Sequence, residues 1–389
     1  MDVQYFTGQG GIIGPIASVT TTVTAGLLTV TSSSASGGYQ VDQAITVSGT
    51  LSAGTINGTA DYTTPVTFYI ILVVSATSIQ ISTTPGGTAV PTTAGLATPG
   101  GVFTLSSQWQ TWRKPRGVKN VYILGVGGGA AGAVGINTAA SNAGGSGGGS
   151  GAQTCVWIPA FFVPDVLYIQ CGAGGRHPTN LVQGQIGGGP TYVTIEPSTT
   201  LTPNMTVLLA NGGVSGAVTG GAVATLAGMP LAGRGYYTLL GGMNGTAGGA
   251  TQTAGTNLTF PVSGLMVMGG SGGGGSGVPA GAGGALSVPL GAPYNDFFLF
   301  TYPGGTAASG ATPAGAGFSG AVMKNFIMNY GGMGGGGASN TSGGQAGAGG
   351  NGAPGSGGGG SGGSTSTAGA NTLARPGNGG DGFVIVMSW

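Results

Sequence analysis

Few side chains of this sequence could carry out acid–base, nucleophilic or metal chemistry. His177 is the only histidine, so a histidine-based triad has one possible base, and its GGRHPTN context is typical of a surface turn. No two of the seven acidic residues lie within ten positions of each other, so the sequence does not support a paired-carboxylate hydrolase or a metal site. The sequence therefore predicts that the protein is not an enzyme and holds no metal or cofactor.

One glycine-rich stretch superficially matches a dinucleotide-binding fingerprint. In VYILGVGGGAAGA, Gly125, Gly127 and Ala130 follow a predicted strand at the fingerprint spacing. A real fingerprint continues into a helix that faces the pyrophosphate, with an acidic residue about 20 positions later. The following segment, VGINTAASNAGGSGGGSG, offers neither feature, so we expect no dinucleotide to bind here.

The two cysteines lie in neighbouring strand-like segments, TCVWIPA and VLYIQCG. If these segments form a hairpin that is symmetric about residue 163, Cys155 lies opposite Cys171 and Trp157 lies opposite Ile169. A cross-strand disulfide is then geometrically possible. Two buried, reduced thiols fit the sequence equally well, because disulfides seldom persist in proteins that assemble in a cytoplasm.

Three polar or aromatic segments between strands are candidate receptor contacts, because binding residues favour exposed loops and arginine and tyrosine are common anchors. A packing role is the alternative for each of their residues. The candidates are Arg176 and His177 in one turn, Arg234, Tyr236 and Tyr237 in GRGYYTL, and Tyr294 and Asp296 in PYNDFF.

Half of the eight basic residues lie in a single segment, WRKPRGVK. Arg113, Lys114, Arg116 and Lys119 could form an anion-binding patch, or they could be the solvated face of a domain boundary. We favour the boundary. The whole chain has a net charge of +1 and only 4% charged residues, so it has little electrostatic attraction for phosphate backbones, and we expect no nucleic-acid partner.

The composition also limits the protein class. Glycine contributes 91 of the 389 residues, yet 40% of the chain is hydrophobic, which is not typical of disorder, and no strict Gly-X-Y period indicates collagen. The N-terminal sequence MDVQYFTGQGG lacks the features of a signal peptide, and the longest apolar run, 66–76, is too short for a membrane span. We expect synthesis in a cytoplasm without membrane insertion.

The chain divides by composition into three parts. Residues 1–17 form a possible arm that could dock on a neighbour, and residues 18–107 contain short strand-like segments that predict a small β module. Residues 108–389 alternate glycine clusters with strand-like segments such as TYVTIE and MTVLLA. We therefore predict an all-β protein with little helix, in which a β-rich attachment module precedes a glycine-rich distal domain.

The tract at 331–364 is more than half glycine and contains no charged residue. A linker of this length before a single final strand is implausible, and so is a long structureless loop inside a domain. Because it has few side chains to bury, it can be ordered only by main-chain hydrogen bonds, as in packed extended helices with three residues per turn. Serine, asparagine, threonine and proline would then lie at rod ends and exposed faces, with reversals at ASNTS and NGAPGS. The alternative is a disordered tract that packs loosely on the surface.

Residues 108–389 resemble the glycine-rich domain of bacteriophage tail-fibre and related virion proteins. The resemblance rests on three segments: WQTWRKPRGVKNVYILGVGGGAAG, GGSGGGSGAQTCVWIPAFFVPDVLYIQCGAGG and the final GNGGDGFVIVMSW. It implies a homotrimer and polyglycine helices with variable loops at the tip. Because apolar strands interrupt the glycine tracts, we expect a mixed β and polyglycine domain rather than a pure polyglycine sandwich.

The resemblance leads to a functional hypothesis. The protein would be a virion structural protein, a tail fibre or adhesin attached by its N-terminal region, whose glycine-rich domain contacts a host surface glycan or protein. Weak sites repeated in an oligomer would supply avidity. The alternatives are a capsid decoration or baseplate protein that braces other virion proteins without receptor contact, and an enzyme that degrades surface polysaccharide.

Overall fold

The computed structural model is all-β, as predicted, and its described residues contain no α-helix. A single 3-10 turn occurs, at Ala160–Phe162, and no helix among these residues is long and apolar enough to cross a membrane. The structure describes residues 1–7, 16–21, 27–32, 44–50, 54–75, 78–84, 87–93, 95–97, 104–106, 109–135, 143–176, 187–197, 205–215, 236–259, 267–277, 279–287, 303–309, 313–320, 322–323, 328–329, 331–332, 335–336, 345–364 and 374–389.

These residues contain β-strands that join into three large and two small sheets. The strands are β1 (Asp2–Thr7), β2 (Ile16–Thr21), β3 (Leu27–Ser32), β4 (Ala44–Thr50), β5 (Asp61–Ser75), β6 (Ser78–Ser82), β7 (Gly95–Ala97), β8 (Thr104–Ser106), β9 (Gln110–Arg113), β10 (Asn120–Val126), β11 (Gln153–Pro159), β12 (Val166–Gln170), β13 (Thr191–Thr194), β14 (Thr206–Ala210), β15 (Tyr236–Leu240), β16 (Leu258–Thr259), β17 (Leu286–Ser287), β18 (Val322–Met323), β19 (Met328–Asn329) and β20 (Phe383–Ser388).

The N-terminal module is a seven-stranded antiparallel sheet in the order β7-β2-β3-β6-β5-β4-β8. Its strands are rich in threonine, valine and isoleucine, which favour extended backbone and pack well on a pleated surface. Ile45, Phe68, Ile70 and Ile79 are fully or almost fully buried and supply its core. The predicted boundary at 107/108 falls between β8, which belongs to this sheet, and β9, which belongs to the next.

Two further sheets form a sandwich at the start of the glycine-rich domain. One has the order β1-β20-β10-β11-β15 and the other the order β14-β13-β12-β9. Alternate side chains of the first sheet, such as Val121 and Ile123, face Leu167, Ile169 and other apolar residues of the second. Apolar residues alternate with other residues along these strands because every second side chain faces the buried space between the sheets.

The N-terminal segment pairs with the C-terminal strand of its own chain. Strand β1 is antiparallel to β20, with Asp2 opposite Ser388 and Thr7 opposite Phe383. Phe6 is buried in the sandwich core because its side chain faces the second sheet. The expectation of an arm that docks on a neighbour is therefore wrong for residues 2–7; residues 8–15 lie outside the described part.

The module and the sandwich meet through aromatic side chains. The rings of Tyr69, on β5, and Tyr168, on β12, lie 6.0 Å apart in an edge-on arrangement. Trp109 is buried beside Tyr168, and Tyr192 packs against the same cluster. The outer face of the four-stranded sheet is thus an internal contact of the chain.

Many strands of the sandwich continue into extended glycine-rich runs, which we call the glycine array. Strand β10 leads into 127–135, β15 leads into 242–250, and the run 143–152 leads into β11. The array includes the runs 127–135, 143–152, 171–176, 187–190, 211–215, 242–250, 268–276, 281–285, 331–332, 335–336, 345–350, 355–364 and 374–382.

The run 355–363 lies in the middle of this array, and its main chain bonds to six other runs. Every N–H from Gly357 to Gly363 donates to a carbonyl, and every carbonyl from Gly355 to Ser361 accepts an N–H. The neighbouring runs are 130–133, 145–151, 268–274, 332–335, 347–350 and 377–380.

These hydrogen bonds repeat every third residue. Gly357, Gly360 and Gly363 donate to one run, whereas Gly359 and Gly362 donate to another. Such a repeat belongs to an extended helix with three residues per turn, in which successive polar groups point to different sides. The described part of 331–364 is therefore ordered as predicted, and the loosely packed alternative is wrong there.

The position of serine in the array corrects the sequence analysis. Ser356, Ser361 and Ser271 are fully buried and do not lie at exposed faces. Their hydroxyls bond to the main chain: Gly135 N–H donates to Ser361 Oγ at 2.8 Å, and Ser271 Oγ donates to Gly284 O at 2.6 Å. Serine thus supplies partners for main-chain groups that the lattice of runs would otherwise leave without one.

The reversal predicted at NGAPGS is present. Gly355 has φ +72°, and Ser356 N–H donates to Ala353 O across the turn. The incoming run 345–350 and the outgoing run 355–363 are antiparallel as a result. The other predicted reversal, ASNTS at 338–342, lies outside the described residues.

Candidate ligand-binding surfaces

The ends of the sandwich strands that point away from the glycine array lie together. Asn120 at the start of β10 is opposite Pro159 at the end of β11, and Val121 is opposite Ser388. In the other sheet, Arg113 at the end of β9 is opposite Val166. We call this end, formed by 113–120, 159–166 and 388–389, the basic pole.

Main-chain hydrogen bonds hold the two loops of the basic pole against each other. Lys114 N–H donates to Asp165 O, Ala160 N–H donates to Lys119 O, and Lys119 N–H donates to Trp389 O, at 2.7–2.8 Å. Each bond continues a strand pairing within one sheet: the first extends β9–β12, the second β10–β11 and the third β10–β20. The covalent chain of 114–119 and of 160–165 crosses from one sheet to the other. The loops are therefore a fixed part of the sandwich.

The Lys114 side chain turns back into this structure. Its Nζ donates to Val163 O at 2.6 Å and to Ala160 O at 3.3 Å, and it lies 3.1 Å from Asp165 Oδ1. The lysine side chain is only 21% exposed, whereas that of Asp165 is 91% exposed. The ammonium group thus organises the 160–165 loop, and the salt bridge itself lies in water.

The basic pole concentrates positive charge in a chain that has little of it. Four of the eight basic residues lie in 113–119, and Asp165 is the only acidic side chain within the pole segments. Arg113, Arg116 and Lys119 are exposed. A guanidinium group presents planar, paired donors that match carboxylate, sulfate or phosphate oxygens.

Exposed aromatic side chains accompany these cations. Phe161 is 77% exposed, Phe162 is about half exposed, and their ring centroids lie 3.8 Å apart. Trp389 is also about half exposed at the same end. A cleft of about 430 Å³ lies between the two loops and is lined by Arg113, Lys114, Arg116, Gly117, Phe161 and Asp165, among others. Its walls carry both guanidinium groups and an apolar ring.

A second surface is the outer face of the five-stranded sheet. Trp157 on β11 lies opposite Tyr236 on β15, and their rings stack with centroids 5.5 Å apart and planes 20° apart. Tyr236 is 77% exposed and Trp157 is 40% exposed. Exposed ring faces of this kind can pack on the apolar face of a sugar or on another protein.

A third surface lies where the sandwich meets the array. A cavity of about 360 Å³ is lined by Arg176, Asp381, Thr7 and the main chain of several glycines. The Asp381 carboxylate accepts the Gly174 N–H at 2.7 Å, which fixes its orientation. Arg176 is exposed at the rim.

Of the predicted receptor-contact residues, the structure describes the side chains of Arg176 and Tyr236, and these two lie apart. Arg176 follows β12 on the array side, whereas Tyr236 begins β15 at the opposite end of the strands. For Tyr237 the structure describes only the backbone, which pairs with Val156. His177, Arg234, Tyr294 and Asp296 lie outside the described residues, so their assignments stay predictions.

The predicted hairpin around Cys155 and Cys171 is wrong. Strand β11 pairs with β10 and β15, whereas β12 pairs with β9 and β13, because the 3-10 turn carries the chain from one sheet to the other. Both cysteines are free, so no disulfide joins them. Burial is the main cause that raises the pKa of the Cys171 thiol to about 12; its Sγ lies 3.5 Å from Phe6 O.

The glycines of the fingerprint-like stretch have structural partners. Gly127 N–H donates to Ala152 O, and Gly128 and Gly129 N–H donate to carbonyls of two further runs. These amides would have to face a pyrophosphate in a nucleotide site, but here they hold the array together. Within the described ranges, no group of three His, Cys, Asp or Glu side chains is placed to hold a metal ion.

The sequence did not identify the basic pole as one combined surface. It favoured a solvated domain boundary for Arg113–Lys119 and did not single out Phe161, Phe162 or Trp389. The relevant residues lie in two separate segments. WRKPRGVK carries four basic residues, and AFFVPD carries two adjacent phenylalanines. The pairings of β9 with β12 and of β10 with β11 bring those segments together.

Comparison with known proteins adds no assignment: no protein-family model matches this chain, and neither does any curated protein sequence.

Proposed function

We propose that this protein is a structural component of a bacteriophage particle, most specifically a tail fibre or adhesin. The N-terminal β module attaches it to other virion proteins, and the glycine-rich domain contacts the host cell surface. The observation that carries this proposal is the central run 355–363, whose main chain bonds to six neighbouring runs. Such an array is a stiff support for exposed segments and needs no charged or bulky side chains.

The distribution of exposed groups supports a binding role for the glycine-rich domain. Its basic pole presents aromatic rings to solvent on two hydrogen-bonded loops, and the Trp157–Tyr236 stack presents them on adjacent β-strands. Sites on regular strands keep their geometry better than sites on long loops. Several weak sites in a homotrimer, the oligomer implied by the resemblance, would bind a repetitive surface through avidity.

Competition for attachment tests this function. Purified full-length protein at saturating concentration is expected to block adsorption of phage particles that carry it to their host cells. A heat-unfolded sample of the same protein serves as the control. If folded protein leaves adsorption unchanged, the adhesin role is wrong.

The second candidate is a capsid decoration or baseplate protein without receptor contact. The edge-on contacts of Tyr69 and Tyr168 make the module and the sandwich a continuous body, which also suits a bracing role. Copy number per particle separates the two: a tail protein is present in a small multiple of three or six, and a capsid protein in hundreds. A polysaccharide-degrading enzyme would shorten isolated surface polymer, and we expect no shortening.

A further inference from the structure

We infer that the cleft of the basic pole binds an acidic sugar residue of a polyanionic glycan. This inference rests on the proposed adhesive function and names the chemistry of the ligand. Arg113, Arg116 and the exposed ring of Phe161 line the same cleft.

The two arginines match the charged part of such a ligand. Both are exposed, and both line the cleft together with the main chain of the Gly117 turn, where φ is +82°. Guanidinium groups bind carboxylate and sulfate through paired, charge-assisted hydrogen bonds. Lys114 contributes mainly by holding the opposite wall, since its ammonium group is already bonded to Val163 O, Ala160 O and Asp165.

Phe161 and Asp165 match the uncharged part of the ligand. The phenylalanine ring is 77% exposed and can pack on the C–H face of a pyranose. The Asp165 carboxylate is exposed at the same cleft and can accept hydrogen bonds from sugar hydroxyls. An acidic sugar carries an anionic group, hydroxyls and an apolar ring face, and the cleft offers a partner for each.

The shape of the site favours a sugar over a membrane surface. At about 430 Å³ the cleft lies within the usual range of about 300–1,000 Å³ for small-molecule sites. Its walls are preorganised by the Lys114 bonds and by the Ala160–Lys119 and Lys114–Asp165 main-chain bonds. A half-open site with fixed walls suits a discrete group, whereas a membrane-binding surface buries a continuous apolar face among the lipid headgroups.

Calorimetric titration of the full-length protein with trigalacturonate tests the proposal, with maltotriose as the neutral comparison. We expect trigalacturonate to bind, to bind more weakly at high salt because the contact is electrostatic, and to bind at least about tenfold more tightly than maltotriose. The variants Arg116→Gln and Phe161→Ser should each weaken binding about tenfold.

Two matched control variants replace an arginine and a phenylalanine that lie outside the cleft. Arg375→Gln changes an exposed arginine of the array, and Phe318→Ser changes a half-exposed phenylalanine of a peripheral segment. Both should bind trigalacturonate as tightly as the unmodified protein. Equal affinity of Arg116→Gln and unmodified protein, or no binding of trigalacturonate at all, would overturn the proposal. Binding to vesicles with anionic lipid but to no acidic oligosaccharide would also overturn it, in favour of a membrane surface.

Sugar binding and competition for phage adsorption test the site and the proposed function separately. If trigalacturonate binds at the cleft but the protein does not compete for phage adsorption, the site stands and the adhesin role fails. If the unmodified protein competes for adsorption but binds no trigalacturonate, the adhesin role stands and the site is wrong.

Discussion

The carbonyl oxygen of Gly145 occupies the space in which a β-carbon of Gly360 would lie. The two atoms would be separated by well under 3.0 Å, a distance that real β-carbons do not adopt. The same relation recurs between Gly147 and Gly270 and between Gly357 and Gly148. Glycine is therefore required in the array by the close approach of neighbouring backbones.

Substitution of Gly360 by alanine should destabilise the array. Because its nearest neighbours are main-chain atoms, the runs must move apart, and we expect a loss of roughly 1–3 kcal/mol in the free energy of unfolding. Urea denaturation followed by circular dichroism measures it. Gly189→Ala is the control, since its β-carbon would meet Ala173 N only at 3.1 Å and should have a smaller effect. Equal midpoints for both variants would contradict the close-approach explanation.

Truncation of Phe6 should weaken the glycine-rich domain although the residue is distant from it in sequence. Phe6 is buried among side chains of both sheets of the sandwich, so Phe6→Ala should lower the free energy of unfolding by roughly 3–5 kcal/mol. Val3→Ala on the same strand removes a half-exposed side chain and should cost much less. If the two variants unfold at the same denaturant concentration, β1 does not contribute to the core.

Lys114 and Asp165 should differ sharply in importance although they form one ion pair. Lys114→Met removes two hydrogen bonds to main-chain carbonyls, at a cost of roughly 1–3 kcal/mol. Asp165→Asn removes only an exposed salt bridge, at a cost of about 0–1 kcal/mol. Thermal unfolding of the two variants makes the comparison. A larger effect of Asp165→Asn would show that the charge pair, rather than the carbonyl contacts, holds the loop.

The Cys171 thiol should resist alkylation in the folded protein. Burial raises its pKa from the ordinary value of 9.0 to about 12, so almost no thiolate exists at pH 8. Mass spectrometry of a Cys155→Ser variant treated with iodoacetamide should find Cys171 modified only after unfolding. A rapid reaction in the folded state, or a Cys155–Cys171 disulfide in the unmodified protein, would contradict the structure.

The same pKa shift should make the protein less stable in strong alkali. The unfolded chain releases the Cys171 proton near pH 9 and the folded chain only near pH 12, so this stabilising contribution is complete below pH 9 and is lost as pH rises to about 12. The alkaline decline of the urea midpoint should be shallower in Cys171→Ala than in the unmodified protein. Tyr62 and Tyr168 also have pKa values raised to about 12 by burial, and they would contribute to the decline that remains.

The sequence predicts strands better than it predicts their partners. VTFYIILVV lies within β5 and FVIVMS forms β20, because β-branched and aromatic runs favour extended, buried backbone. The pairing of β20 with β1 could not be predicted, since 375 residues lie between Thr7 and Phe383 and both segments indicate only that they are strands. The hairpin between β11 and β12 failed for a related reason: adjacent strands usually pair, and here a 3-10 turn diverts the chain into a second sheet.

The glycine array was predictable in kind but not in its serine positions. The need for main-chain hydrogen bonds follows from composition, whereas the burial of Ser361 depends on which run passes beside it. Of the candidate sites, the exposure of a single residue such as Tyr236 could be predicted, although Tyr236 begins strand β15 and does not lie in a loop. The basic pole could not, since it is created by two loops that only the folded sheets bring within reach of each other.

The threefold period of the array sets a rule for changes in length. Inserting one residue near the start of 355–363 would rotate every following amide by a third of a turn and direct it toward the wrong neighbour. Three inserted residues would restore the original phase beyond the insertion, and only the rod would grow, by roughly 9 Å. Length variants of this domain that still fold should therefore differ from it by multiples of three amino acids within a run.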